Sequence, residues 1–91
     1  MIYTSVVVPV FNSSKHIASA VDGLIVQNND RRPLEIILIN DGSTDHSLEV
    51  CHQLAAQWDN IVVVDRPNGG VGSARNAGIG AAHGKYIAFL D

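Results

Sequence analysis

Four short apolar runs, Ser5 to Val10, Leu34 to Ile39, Ile61 to Val64 and Tyr86 to Leu90, are continuous rather than alternating, and this limits the fold more than any other feature. A strand with one wet face alternates apolar and polar residues, whereas an unbroken run is covered on both faces, as in a parallel sheet. Parallel neighbours need a crossover between them, and each gap here holds a segment with helical spacing. The first carries Ile17, Ala20, Val21, Leu24 and Ile25, the second Leu48, Cys51, Leu54, Ala55 and Trp58, the third Val71, Ala74, Gly78 and Ala81. The order βαβαβαβ predicts an open α/β sheet with right-handed crossovers.

Polar residues punctuate these segments. Asn12, Ser13 and Ser14 offer caps for the first helix, Ser43 and Thr44 for the second with Asp45 in its first turn, and Asn68-Gly69-Gly70 opens the third. The 91 residues, 46% hydrophobic and 16% charged, suit a single domain spanning 1–91, with no repeat, linker or low-complexity stretch.

A net charge of -3 and six scattered cationic residues exclude the basic face that nucleic acid requires. Cys51 is the one cysteine, placed on the inward face of the second helix, so neither a disulfide framework nor a cysteine-ligated zinc is available within one chain. No apolar run approaches the roughly 20 residues that span a bilayer, and the start of the chain lacks the pattern of a signal peptide. The expected location is the cytoplasm, or the cytoplasmic face of a membrane for a longer parent.

Ligands of open α/β sheets bind outside the carboxyl ends of the strands, where Asn12, Asp41, the Gly69-Gly70 loop and Asp91 all map. In Asn40-Asp41-Gly42-Ser43-Thr44-Asp45, Asp41 has two readings: an acceptor for the N–H edge of a base, or plain turn chemistry. In Asn68 to Gly78, glycines at a helix N-terminus with Arg75 one turn inside suit a diphosphate; the other reading is tight helix–sheet packing with a surface arginine. The segment is not a dinucleotide fingerprint, because Arg75 stands where the third glycine belongs, and no P-loop occurs. Asp91 follows the last strand, where a carboxylate can hold a ribose hydroxyl or begin a divalent-cation site. The four histidines lack metal-ligand spacing and read as solvated, and no Gly-x-Ser-x-Gly elbow is present.

Taken together, Ser5 to Asn12, Asn40 to Asp45, Asn68 to Gly78 and Gly84 to Asp91 resemble, in order and spacing, the N-terminal part of family 2 glycosyltransferases of the GT-A fold. The resemblance implies a three-layer, Rossmann-like half of that fold, with four mainly parallel strands in the order 3-2-1-4 and helices on both faces. It implies transfer of a sugar from a nucleotide-diphosphate sugar, commonly a UDP-sugar, to a hydroxyl of a saccharide or lipid-linked acceptor, with inversion, in polysaccharide or glycoconjugate synthesis. Pro9, Val10 and Phe11 would line the base pocket, and Asn12, which ends the same motif, would join them in binding the nucleotide. Asp41 would bind the base, and Arg75 would lie near the base or diphosphate. Asp91 matches the first carboxylate of the D-x-D element, whose later Asp holds Mg²⁺ or Mn²⁺; that Asp and the general base fall beyond residue 91. The chain is therefore expected to be a truncated, inactive nucleotide-sugar domain with no catalytic residue of its own and no ion bound. Its fourth strand, normally covered, is expected to self-associate through residues 86–90. The alternative from another class is a non-catalytic α/β nucleotide-binding or interaction module.

Overall fold

The computed structural model describes residues 1–90, so Asp91 lies outside the described residues. The elements run β1 (Thr4–Val10), α1 (Ile17–Ile25), β2 (Leu34–Asp41), α2 (Ser47–Gln57), β3 (Ile61–Arg66), α3 (Val71–Ala81) and β4 (Tyr86–Phe89). The strands form one sheet in the order β3-β2-β1-β4, and every pair is parallel.

This order dictates where the helices go. From β1 to β2 to β3 the chain steps outward in one direction, then returns across two strands to place β4 beside β1. With crossovers of one hand, the reversal moves the third helix to the opposite face. Accordingly, Ile17, Val21 and Leu24 of α1 and Cys51 and Leu54 of α2 pack on Val6, Val8, Val10, Ile36 and Leu38, while Ala74 of α3 packs on Val7, Ile37 and Ile39. The three layers meet on β2, all eight residues of which are buried. Each fully buried Ile or Leu of Ile36 to Ile39 contributes roughly 1.5–3 kcal/mol by leaving water.

The ladders outlast the apolar runs, because β2 continues through Asn40 and Asp41 and β3 through Asp65 and Arg66. The expected caps are not where the sequence put them. The N-cap residues of α1, α2 and α3 make no side-chain cap bond, and the backbone N–H of Ser47 is held by Asp45 Oδ1, from just before α2 and not within its first turn. Ser43 and Thr44 instead bond to Asn12 in the neighbouring loop. Trp58 ends α2 exposed, off the core face. The run at β4 is not covered on both faces either, since Tyr86, Ile87 and Phe89 are 40–51% exposed on an edge strand.

At the amino ends of the strands a buried carboxylate ties three segments together. Glu35, within the apolar run of β2, accepts from Ser5 Oγ at 2.6 Å and from the His83 backbone at 3.0 Å, and its other oxygen meets His83 Nδ1 at 3.0 Å. His83 is thus paired rather than merely solvated. Ser5 Oγ accepts in turn from Gly84 N, and a Cβ on Gly84 would lie 2.6 Å from Ser5 N, so only glycine fits this approach. Burial pushes the Glu35 carboxyl up, but the hydrogen bonds from Ser5 and His83 outweigh it and hold it below the ordinary 4.5. A carboxyl lowered in the folded state adds stability above its unfolded value, lost as pH falls through the folded one. We expect the urea midpoint to drop below about pH 4.5, and this dependence to be weaker in Glu35→Gln, measured as urea midpoints across pH 3 to 7.

Small residues let α3 sit close to the sheet. A Cβ on Gly78 would lie 2.3 Å from Val7 Cγ1, whereas nothing comes within 4 Å of one on Gly80. Two substitutions of the same kind in one helix should therefore act in opposite directions. Gly78→Ala should cost about 1–3 kcal/mol by overpacking, and Gly80→Ala should add about 0.5–1 kcal/mol through helix propensity, both read from urea unfolding.

Candidate functional site

The carboxyl ends of β1 and β2 and the start of α3 surround a cleft of about 460 Å³ lined by Pro9, Val10, Phe11, Ser13, Asp41, Val71, Ala74 and Arg75. It lies at the topological switch point, where the chain reverses between β1 and β4. The structure thus brings together Pro9, Val10, Phe11, Asp41 and Arg75. Asn12 is not in the lining, and Asp91 is outside the described residues. The sequence offered Ser13 as a cap and Val71 and Ala74 as an apolar helix face, not as site residues; helical spacing from Arg75 reaches Val71, four residues earlier, on the same face.

Asn12 has another task. It takes a left-handed backbone, φ 48°, and its Oδ1 accepts from Thr44 N at 2.8 Å while its own N–H bonds to Ser43 Oγ at 3.0 Å. Ser13 N donates to Ser47 Oγ and Ser14 N to Asp45 Oδ2, so the loops after β1 and β2 hold each other. Bonded foremost by the Ser47 hydroxyl, the Asp45 carboxyl titrates down at about 2. The wall formed by Pro9 to Phe11 is fixed by this clasp, and Phe11 presents a half-exposed ring to the cleft mouth.

Asp41 sits at the last position of β2 with its side chain 7% exposed. Oδ1 accepts from Gly69 N at 2.9 Å and Oδ2 from Gly70 N at 3.1 Å, and Asn68 Nδ2 bonds to the Asp41 carbonyl. Gly42, φ 70°, lets the next loop close in, since a Cβ there would lie 2.6 Å from Asn68 N. The two glycine N–H groups expected to meet a diphosphate are thus spent on the Asp41 carboxylate, which takes the place of an anion before the α3 N-terminus. Turn chemistry is real here, and the carboxylate still borders the cleft.

Opposite Asp41 in the parallel register stands Arg66. Its Nη1 donates to Ser73 O at 2.7 Å, its Nη2 to Ser73 Oγ at 2.5 Å, and its Nε lies 3.7 Å from Asp41 Oδ1. The period of two explains the meeting: Asp41 and Arg66 share the face of Ile39 and Val64, under α3. From the far side, Arg75 reaches over β4 with its Cζ 5.5 Å from the Phe89 ring centroid, a cation–π distance. A guanidinium, a carboxylate, an aromatic ring and an apolar floor around one opening can stack a flat heterocycle and pair with its polar edge. Among the described residues no cluster of three or more His, Cys, Asp or Glu is placed to hold a metal ion.

The sequence profile of glycosyl transferase family 2 matches residues 5–91. The chain belongs to this family. Among its relatives, the poly(ribitol-phosphate) beta-glucosyltransferase of Bacillus spizizenii is 40% identical over 89 residues, covering 96% of this chain and 14% of that protein. The chondroitin synthase of Pasteurella multocida is 38% identical over 87 residues, covering 96% of this chain and 9% of the synthase. Among solved structures, S. aureus TarS 1-349 in complex with UDP-GlcNAc superposes with a TM-score of 0.87 at 30% identity, over 99% of this chain and 26% of that one. This family 2 chain thus has the GT-A architecture and spans a small part of the relatives it matches.

If Asp41 anchors the glycine turn, removing one acceptor must leave an N–H in search of a partner. Asp41→Asn keeps the volume but sets an amide NH₂ against Gly69 N or Gly70 N. We expect a loss of about 1–3 kcal/mol in urea unfolding and faster exchange of the Gly69 and Gly70 amides by NMR.

Proposed function

We propose that this chain forms the nucleotide-binding half of the donor site of a glycosyltransferase that moves a sugar from a nucleotide-diphosphate sugar, of the UDP class, to an acceptor hydroxyl, with inversion, in polysaccharide or glycoconjugate synthesis. The observation that carries this reading is the convergence of Phe11, Asp41 and Arg75 on one cleft at the switch point of a family 2 sheet. Phe11 supplies a stacking face, Asp41 an acceptor through the carboxylate lone pairs not used by Gly69 and Gly70, and Arg75 a cation for the base or the first phosphate. Relatives that act on saccharide and polyol-phosphate polymers support the acceptor class. The structural neighbour holding UDP-GlcNAc supports the donor class.

A divalent cation, Mg²⁺ or Mn²⁺, belongs to this proposal for the longer enzyme, where it would offset charge on the diphosphate. Among the described residues no group of three or more His, Cys, Asp or Glu is placed to hold it. What this chain's residues do is bind and orient the nucleoside end; the general base and acceptor site are placed outside it. No helix among the described residues is long and apolar enough to cross a membrane. We place the working enzyme in the cytoplasm or at the cytoplasmic membrane face.

Titration calorimetry with UDP, GDP and NAD tests the reading. We expect UDP to bind at sub-millimolar to millimolar levels, the others more weakly, and Arg75→Ala to weaken UDP at least fivefold; no heat with any UDP species would remove it. Incubation with UDP-sugars should yield no turnover by the 91-residue chain. One observation favours a second reading, a non-catalytic module: both Asp41 oxygens are already bonded within the chain. Binding of no nucleotide would point that way.

The edge at β4 extends the proposal to self-association. Among the described residues its one partner strand is β1, leaving a row of backbone groups beside exposed Tyr86, Ile87 and Phe89. Light scattering should show mass rising with concentration, and Ile87→Lys should return the chain to a monomer; a monomer at every concentration would rule pairing out.

A further inference from the structure

We propose that Arg66 is a positioning residue for the nucleotide cleft, acting through Ser73 and Asp41 to fix the first turn of α3; this rests on the reading of the cleft as a nucleotide site. Three cleft-lining residues, Val71, Ala74 and Arg75, stand on that turn or directly after it. The turn begins at Gly70 with no side-chain cap, so its position needs another source.

Arg66 provides it. The guanidinium grips Ser73 twice, at the carbonyl and at the hydroxyl, from a strand held in the sheet. Its charge also lies beside the Asp41 carboxylate, which holds the preceding Gly69 and Gly70. One planar cation therefore joins the end of β3, the acceptor carboxylate and the helix that carries Arg75. The loop is shaped around this fork: a Cβ on Gly69 would lie 2.8 Å from Arg66 Nη2 and 3.0 Å from Ser73 Oγ. Lysine cannot replace it, because an ammonium offers no fixed pair of donors at the spacing of the Ser73 carbonyl and hydroxyl.

Arg66 itself is outside the cleft lining, so its effect on a ligand must travel through the turn. UDP affinity by calorimetry, alongside urea midpoints, tests this in the unaltered chain, Arg66→Met, Arg66→Lys, Ser73→Ala, Gly69→Ala and the Arg66→Met/Ser73→Ala pair. We expect Arg66→Met to weaken UDP about tenfold, Arg66→Lys to recover little, and Gly69→Ala, which retains Arg66, to weaken UDP by pushing its guanidinium off Ser73. The pair should be no worse than Arg66→Met alone, since both act through one contact. Equal UDP affinity in the unaltered and Arg66→Met chains, or fully additive losses in the pair, would overturn the proposal while leaving the nucleotide reading intact. Absence of UDP binding by the unaltered chain would overturn the nucleotide reading, and this proposal with it. Losses of affinity that merely track the urea midpoint across all variants would assign Arg66 to stability alone and also overturn it.

Discussion

The rim of this sheet is organised by one carboxylate that never leaves the protein's own backbone. Asp41 stands at the end of the most buried strand and binds two successive N–H groups of the loop that opens α3. Those donors face the positive end of a helix, where a negative group is favoured by both hydrogen bonding and the aligned peptide dipoles. A carboxylate placed there locks the third crossover to the second strand. The cleft walls, the course of the glycine loop and the neighbouring Arg66 all take their places from that lock.

The two ends of the sheet solve the same problem with different parts. At the carboxyl ends, polar side chains border an opening. At the amino ends, Glu35 is closed in by Ser5, His83 and Gly84, 48 residues apart along the chain for Glu35 and His83. A buried charge is tolerable only when its lone pairs are occupied, and here each oxygen has a donor. Such a network fixes register: sliding β1 by one residue would turn Ser5 away from Glu35 and bring Val6 or Thr4 to it.

The sheet and its strand order were legible because unbroken apolar runs and their spacing record burial on both faces, and because four motifs in series resemble one family. The members of the cleft that the residues announced were those with special chemistry, Asp41 and Arg75. What escaped notice has a common cause in distance. Ser43 and Thr44 look like caps for the helix that follows, yet they bond to Asn12, 31 and 32 residues away, and the hydroxyls are equally competent at either task. Arg66 reads as a polar residue past the end of an apolar run, although the ladder continues beneath it. Glu35 passes unmarked inside an apolar run, because its partners are nowhere near it in sequence.

The mutual clasp of the loops after β1 and β2 restricts how such a scaffold can diversify. Five bonds join Asn12, Ser13 and Ser14 to Ser43, Thr44, Asp45 and Ser47 across the two loops, so lengthening either would uncouple both. At the opposite pole, the turn around Asn29 to Arg32 is exposed and held by bonds mostly within itself. Added segments, fusions and length variation therefore have a natural port of entry there, remote from the opening, while variation at the rim is confined to exchanging side chains on a frame of constant length.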